Sequence, residues 1–263
     1  MTRKAISTGA YGAIGKAIAQ GLAEHGLAVT LVGRNEAKLQ QAVAEIGKRH
    51  PGATLDFAVV DLSREAEIKA FSETWEGPLH VLVNNAATTP RARTETPEGI
   101  ELQWATNVLG YYWMIRHFLP HLKGQPGARI VNVASYWAGG LNFNDPEFKS
   151  RRYNNDEAYR QSKQADRMLS AAFAKTLKAG GITVNACHPG DVNSKLSNEL
   201  GFGGSESPRQ GADTPVWLAV SAEVEGLTGH YYEHREKRSC PFMKDLSGID
   251  RLTRLCEGYT MLG

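Results

Sequence analysis

The chain has 263 residues, 22% of them charged, and a formal net charge of +2, a balance too even to imply nucleic acid or an anionic membrane as partner. Its three cysteines, Cys187, Cys240 and Cys256, are odd in number and scattered, which argues against a disulfide framework and suits a reducing compartment. No apolar run approaches the ~20 residues of a membrane span, and Met1 leads almost directly into a strand, so the expectation is a soluble cytoplasmic protein with no signal peptide or membrane anchor.

Strand-like and helix-like segments alternate almost throughout. A short strand at 5–8 precedes a helix at about 13–25, which carries Ile14, Ile18 and Leu22 at helical spacing. A strand at 28–32 leads to a charged helix from Asn35 to about Arg49, and the break at His50, Pro51 and Gly52 precedes a strand at 55–60. Ser63 is a plausible N-cap for a helix reaching about Glu76. Gly77 and Pro78 punctuate before a buried strand at 81–83; a long helix is expected from about Pro97 to Leu122, then a fifth strand at 129–133. A helix over about 156–179, a sixth strand at 182–187, a helix at about 208–221 and a seventh strand at 229–233 complete the pattern. Apolar strands joined by helical crossovers make a parallel sheet covered on both faces. The fold class is therefore α/β, a single-domain Rossmann-type doubly wound parallel sheet of about seven strands spanning 1–263.

In such sheets ligands bind beyond the carboxyl ends of the strands. The informative residues fall there: Gly9, Arg34, Asp61, Asn84, Ser135 and Pro189. Gly9, Tyr11, Gly12, Ala13, Ile14 and Gly15 form a turn between a strand and a helix, the setting in which backbone N–H groups cradle a dinucleotide phosphate. An ordinary Gly-rich turn is the alternative. At the end of the second strand Gly33 has no carboxylate and Arg34 can fork onto a ribose 2′-phosphate, which points to NADPH/NADP+ over NAD(H). Glu36 is a rival ribose ligand. Asp61 and Leu62 could address the adenine, and Asn84, Asn85, Ala86 and Ala87 keep the fourth strand end small enough for a nucleotide; both sets could equally be strand-end caps.

Tyr159 and Lys163 stand four apart, so on a helix the phenol and the ammonium share a face. A proton donor beside a cation, joined to a dinucleotide cradle, is the equipment of carbonyl–alcohol redox chemistry.

With these residues assembled, the chain resembles the short-chain dehydrogenase/reductase superfamily along nearly its whole length. The likeness rests on the turn from Thr8 to Gly15, on Asn84, Asn85 and Ala86, on Asn107 with Gly110, on Ser135, on Tyr159 with Lys163, and on Pro189 with Gly190. The segments 129–135, 188–190 and 210–212, with the long interval from Ser135 to Tyr159, are similar to the retinol-dehydrogenase-like branch. Ala13 and Ala87 stand where the family usually has glycine, and the N-terminal anchor of membrane-bound retinol dehydrogenases is not expected here.

The resemblance implies roles. Tyr159 would exchange a proton with the substrate oxygen while hydride passes to or from the nicotinamide. Ser135 would hydrogen-bond that oxygen, Asn107 would hold a water leading to Lys163, and Lys163 would also contact the nicotinamide ribose. Pro189, Gly190, Val192 and Ser194 would line the nicotinamide carboxamide and pyrophosphate. A free phenol titrates near ~10, and a cation about 4 Å away at an effective dielectric of ~20 would supply nearly the whole depression needed near neutrality. Lys163 is thus expected to activate Tyr159 almost alone.

Substrate loops are expected at about 136–157, with Trp137, Leu141 and Phe143, and at 194–207, with Leu196, Leu200 and Phe202 before Gly203 and Gly204. They suit a bulky lipophilic or aromatic substrate under a lid, although 144–157 reads equally well as a solvated insertion. His117 and His121 have metal-pair spacing but flank Pro120 and find no third ligand, so no metal is expected. The run His234–Arg238 reads as an exposed loop, and a homodimer through the long helix and the Tyr159 helix is plausible. Beside the oxidoreductase stands one alternative, a catalytically silent NADP-binding regulatory protein; the presence of Ser135, Tyr159, Lys163 and Asn107 weighs against it.

Overall fold

The computed structural model describes residues 2–260. The first half contains β1 (Lys4–Thr8), α1 (Ala13–Glu24), β2 (Ala28–Gly33), α2 (Glu36–Arg49), β3 (Leu55–Val59), α3 (Glu65–Glu73) and β4 (Val81–Asn84). A π-helical segment, Trp104–Leu109, runs directly into α4 (Gly110–Leu122), and β5 (Arg129–Val133), α5 (Asn155–Leu177) and β6 (Thr183–His188) follow. The chain then forms α6 (Lys195–Glu199), α7 (Pro208–Val220), β7 (Tyr231–Glu233), β8 (Glu236–Arg238) and α8 (Leu246–Glu257). The strands make one eight-stranded sheet in the order β3-β2-β1-β4-β5-β6-β7-β8, parallel except for the β7–β8 hairpin. The order reverses between β1 and β4, which places the binding crevice there.

Successive side chains of a strand point to opposite faces, and the core divides accordingly. Ile6, Leu82, Ile130 and Val184 pack under α3, α4, α5 and α8, whereas Ala5, Val81, Val83 and Val131 pack under α1, α2 and α7. Both faces are dry, so the strands are nearly uniformly apolar, as a parallel sheet requires.

The structure departs from the sequence reading at several places. Ser63 does not cap α3; its amide and hydroxyl both donate to Asp61 Oδ1, and the helix begins at Glu65. The long helix begins after Pro97–Ile100, because the buried carboxylate of Glu101 accepts the amides of Gln103 (2.9 Å) and Trp104 (2.7 Å) and caps it there. The run His234–Arg238 is a hairpin. His234 and Arg235 take positive φ (50° and 62°), which turns the chain so that β8 pairs with β7. The helix α8, absent from the predicted elements, buries Ile249, Leu252 and Cys256 against the cluster containing Met168, Leu169 and Phe173 of α5.

Part of the interval after Ser135 is not a solvated insertion. Residues 145–148 are buried: Asp145 accepts the Lys149 and Ser150 amides, and Glu147 accepts the Glu101 amide (2.9 Å) and the Tyr259 hydroxyl (2.6 Å). Arg151 stacks 3.6 Å from the centre of the Phe148 ring. Asp145 and Glu147 are spent on internal hydrogen bonds, while Lys149, Arg152 and Glu157 stay exposed.

Candidate active site and cofactor cleft

A cleft of about 260 Å³ opens at the carboxyl ends of β1, β2 and β4. Gly9, Tyr11, Gly12, Ala13, Ile14, Gly15, Arg34, Asp61, Leu62, Asn85, Ala86 and Ser194, all named from the sequence as cofactor residues, line it together. Pro189, Gly190, Val192, Tyr159 and Lys163 lie outside that lining. Gly190 (φ +92°) is covered by the Glu206 carboxylate, and Val192 is buried beside Glu206 and Gly211.

The turn is closed by backbone approach. Gly9 has φ +64°, and a Cβ there would lie 2.8 Å from Ala86 Cα. At Gly15 a Cβ would meet Gly9 O at 2.3 Å and Asn85 Nδ2 at 2.6 Å. Thr8 ties the two strand ends together: its hydroxyl accepts the Asn85 amide (2.8 Å), and its carbonyl accepts Asn85 Nδ2 (2.9 Å). A side-chain-free cradle at a helix N-terminus fits a dinucleotide pyrophosphate. Arg34 is exposed at the rim, and the Tyr11 ring lies over Gly33, where a Cβ would meet it at 2.5 Å. Lys38 Nζ stands 5.8 Å from the centre of the Tyr11 ring, adding a second cation at this end.

Beyond the end of β5, Tyr159 and Ser135 come together, 7% and 6% exposed. Burial pushes the Tyr159 phenol above its ordinary value, against the opposing pull of Lys163 and a hydrogen bond with the Ser135 side chain. This corrects the expectation that Lys163 alone depresses it. Burial is the main cause, and the pull of Lys163 is offset in part because its Nζ donates to Asp166 Oδ2 at 2.9 Å and to Val133 O at 3.0 Å. Lys163 Nζ lies 5.8 Å from the Tyr159 ring centre and 5.1 Å from that of Tyr111.

Asn107 sits in the π-helical segment, fully buried. Its Oδ1 accepts the Thr88 amide (2.8 Å), and its Nδ2 donates to Thr88 O (3.1 Å) and Ser162 Oγ (3.2 Å). Both amide donors are thereby used, and the side chain joins the loop after β4 to α5. Sequence reasoning also passed over Arg167, buried on α5, which donates to Ser135 O and to the Tyr231 hydroxyl (2.7 Å) and so fixes the backbone beneath Ser135. Its position one turn after Lys163 was the available signal. His188, which entered the sequence reading only through the 188–190 segment, ends β6 and meets the exposed Tyr136 edge-on at 4.6 Å. Burial, with His234 and Arg167, pushes His188 down to about 3, so its ring is neutral at pH 7.

On the substrate side, Trp137 and Phe202 meet edge-to-face at 5.4 Å, joining the two predicted loops. Thr89 Oγ1 donates to Glu199 Oε2 (3.3 Å), tying α6 to the loop after β4. Leu141 and Phe143 instead pack onto the core under α5 and α8 and do not face the cleft. His117 pairs with Glu65 Oε1 (2.9 Å) and His121 with Ser72 O (3.0 Å), and no group of metal-binding side chains occurs among the described residues.

A family profile described as short chain dehydrogenase matches residues 3–202. A protein of Streptomyces antibioticus named probable oxidoreductase is 33% identical, over 94% of this chain and 90% of its own. Retinol dehydrogenase 13 of Mus musculus is 32% identical, over 94% and 80%. The crystal structure of an uncharacterised protein from Mycobacterium paratuberculosis superposes with a TM-score of 0.81 at 25% identity, covering 97% and 92%. The chain therefore belongs to the short chain dehydrogenase family, in its retinol-dehydrogenase-like branch, and is an NAD(P)-dependent oxidoreductase of CH–OH and C=O groups.

Proposed function

We propose that the protein interconverts a carbonyl and an alcohol on a bulky lipophilic or aromatic small molecule, using NADP(H). The observation that carries this reading is the meeting of the Tyr159 and Ser135 hydroxyls above Lys163, beyond the end of β5. When bound, the nicotinamide supplies hydride to a carbonyl carbon or takes it from a carbinol carbon. Tyr159 gives its phenolic proton to the substrate oxygen in reduction and accepts it back in oxidation. Ser135 donates a hydrogen bond to the same oxygen and stabilises its developing charge. Lys163, whose ammonium already serves Val133 O, Asp166 and the Tyr111 hydroxyl, would contact a ribose hydroxyl by exchanging one of these partners. Asn107 holds the Thr88 loop against α5, a positioning role that stands beside the water site the resemblance implies for it.

The NADP(H) preference is supported by Arg34 at the rim, with Lys38 nearby and no carboxylate at Gly33. Glu36, the rival ribose ligand, is exposed in the first turn of α2 and accepts from Gln40 Nε2 (3.1 Å). Arg34→Ala is expected to lower kcat/KM for NADPH by about tenfold or more while leaving NADH nearly unchanged, since only the phosphate-bearing ribose loses a partner. Equal or better use of NADH by the unaltered enzyme would discard the preference. The Trp137–Phe202 pair supports the lipophilic substrate, as does the likeness to a retinol dehydrogenase. A panel of aldehydes and ketones, followed by NADPH absorbance, tests the activity; a regulatory protein would bind NADPH and oxidise none of it.

The sheet from β1 to β8, with α8 folded back on α5, supports one domain across 1–263. α8 packs Ile249, Leu252 and Cys256 against Met168, Leu169 and Phe173 of α5, and on that contact we read the chain as a monomer in place of the homodimer that the resemblance made plausible. Light scattering should return about the chain mass of 28.7 kDa, and a doubled mass would contradict this. Free, buried cysteines support a cytoplasmic setting, and no helix among the described residues is long and apolar enough to cross a membrane.

A further inference from the structure

We propose that Asp166 is a positioning residue that counterbalances Lys163 and thereby sets the pH range over which Tyr159 remains a proton donor; this rests on the catalytic reading above. Asp166 stands three residues after Lys163 on α5, so both side chains project from the same face of the helix. The Lys163 and Asp166 side chains are 3% and 0% exposed, and their 2.9 Å contact is therefore largely unscreened by water. Asp166 Oδ2 serves Lys163, and Oδ1 has no hydrogen-bond partner among the described residues. A carboxylate left this bare in a dry interior persists only because of the cation beside it.

The electrostatic consequence follows from the geometry. An isolated ammonium near Tyr159 would favour the phenolate. Paired at 2.9 Å with a carboxylate, the same ammonium presents a dipole, whose field on Tyr159 is much weaker. Burial opposes charge on Lys163, but Asp166, Tyr111 and Tyr159 together hold it above the ordinary lysine range, so it stays protonated. Burial raises Asp166 to about 7 against the attraction of Lys163. The other titratable groups facing the pair are Tyr159 on α5, Tyr136 after β5, Tyr111 on α4, Cys187 on β6 and Cys256 on α8. The tyrosines and cysteines are neutral when protonated, which leaves Asp166 as the anion that decides how much of the Lys163 charge Tyr159 feels.

The sign follows for as long as Lys163 stays protonated, with or without Asp166. In reduction the protonated phenol is the working form, and it is lost as pH rises through the Tyr159 pKa. The Asp166 carboxylate raises that pKa, so the wild-type enzyme holds its proton donor to higher pH than a variant lacking the charge.

The test uses the full chain labelled with heavy carbon at tyrosine Cζ, the Tyr159 resonance being assigned by its loss in Tyr159→Phe. Asp166→Asn keeps the shape and removes the charge. It should lower the Tyr159 titration by about one pH unit or more and move the alkaline limb of kcat/KM for carbonyl reduction by the same amount. Asp166→Glu, which restores the carboxylate, should return the titration toward wild type. If Asp166→Asn does not fold, Asp166→Ser is read by the same criterion. The proposal is overturned if the charge-removing variant and the wild type show the same Tyr159 titration, or the same absence of one, at every pH where both remain folded. A failure of every carbonyl to be reduced would sink the proposed activity instead, and the resonance titration would still decide the role of Asp166.

Discussion

Tyr159→Phe is expected to lower kcat/KM for carbonyl reduction by about a hundred- to ten-thousand-fold, the span that a positioned general acid contributes. The substitution removes one hydroxyl and keeps the ring, which is only 7% exposed and already packed against α5 and β5 neighbours. NADPH affinity should therefore stay within about twofold, because Tyr159 lies outside the cleft formed by the Gly9–Gly15 turn, Arg34 and Asn85. The one side-chain partner lost is Ser135, so the melting temperature should fall by no more than a few degrees, consistent with about 1 kcal/mol for a hydrogen bond. Steady-state kinetics with a responsive aldehyde, beside a fluorescence titration of NADPH, separates the two effects. Activity retained within about threefold would remove Tyr159 from the chemistry.

The second large effect is expected at the phosphate cradle. Gly15→Ala places a methyl 2.3 Å from Gly9 O and 2.6 Å from Asn85 Nδ2, and neither neighbour is the free end of a flexible chain. Gly9 O belongs to the turn itself, and Asn85 Nδ2 is engaged with Thr8 O, so the turn must open. We expect NADPH to bind about a hundredfold more weakly, equivalent to ~2.7 kcal/mol, with a lowered melting temperature. Gly12→Ala is the control. There a Cβ approaches only Gly9 O, at 3.2 Å, and affinity should fall by less than about fivefold. Equal losses in the two variants would show that the cradle is not shaped by the Gly9–Gly15 approach.

The contrast between these two glycines also explains why the turn was legible despite its irregular spacing. Ala13, where the family usually has glycine, begins α1 with its methyl accommodated, whereas Gly15 faces backbone. A glycine pattern identifies the turn but does not say which member is indispensable. That depends on how closely β4 approaches β1, a distance set by Thr8 and Asn85 across 77 residues of chain.

The chemistry-bearing residues were readable because their information is local. Strand and helix periodicities put Gly9, Arg34, Asp61, Asn85 and Ser135 at one edge of a parallel sheet, and a four-residue spacing put Tyr159 and Lys163 on one helix face. The segments that were misread carry non-local information. Glu147 looks like a solvated charge, yet it is buried and accepts the Glu101 amide and the Tyr259 hydroxyl, 46 and 112 residues away, whereas Glu101 and Asp145 make local caps whose burial is supplied by the fold around them. The strand β8 consists of Glu236, Lys237 and Arg238, which show no apolar alternation, and it exists because the His234–Arg235 turn brings it alongside β7.

By itself the chain determined the layered α/β architecture, the location of the crevice and the residues of the Gly9–Gly15 turn and strand ends that line it, since each follows from spacing along a helix or strand. Only the tertiary structure decided how those residues are tuned. The Lys163 ammonium is held by Asp166 and Val133 O in a dry interior, and Tyr159 is pushed above the ordinary phenol range. Charge strength depends on solvent exclusion and on partners that converge from β5, α4 and α5, and neither is written in the order of neighbouring residues.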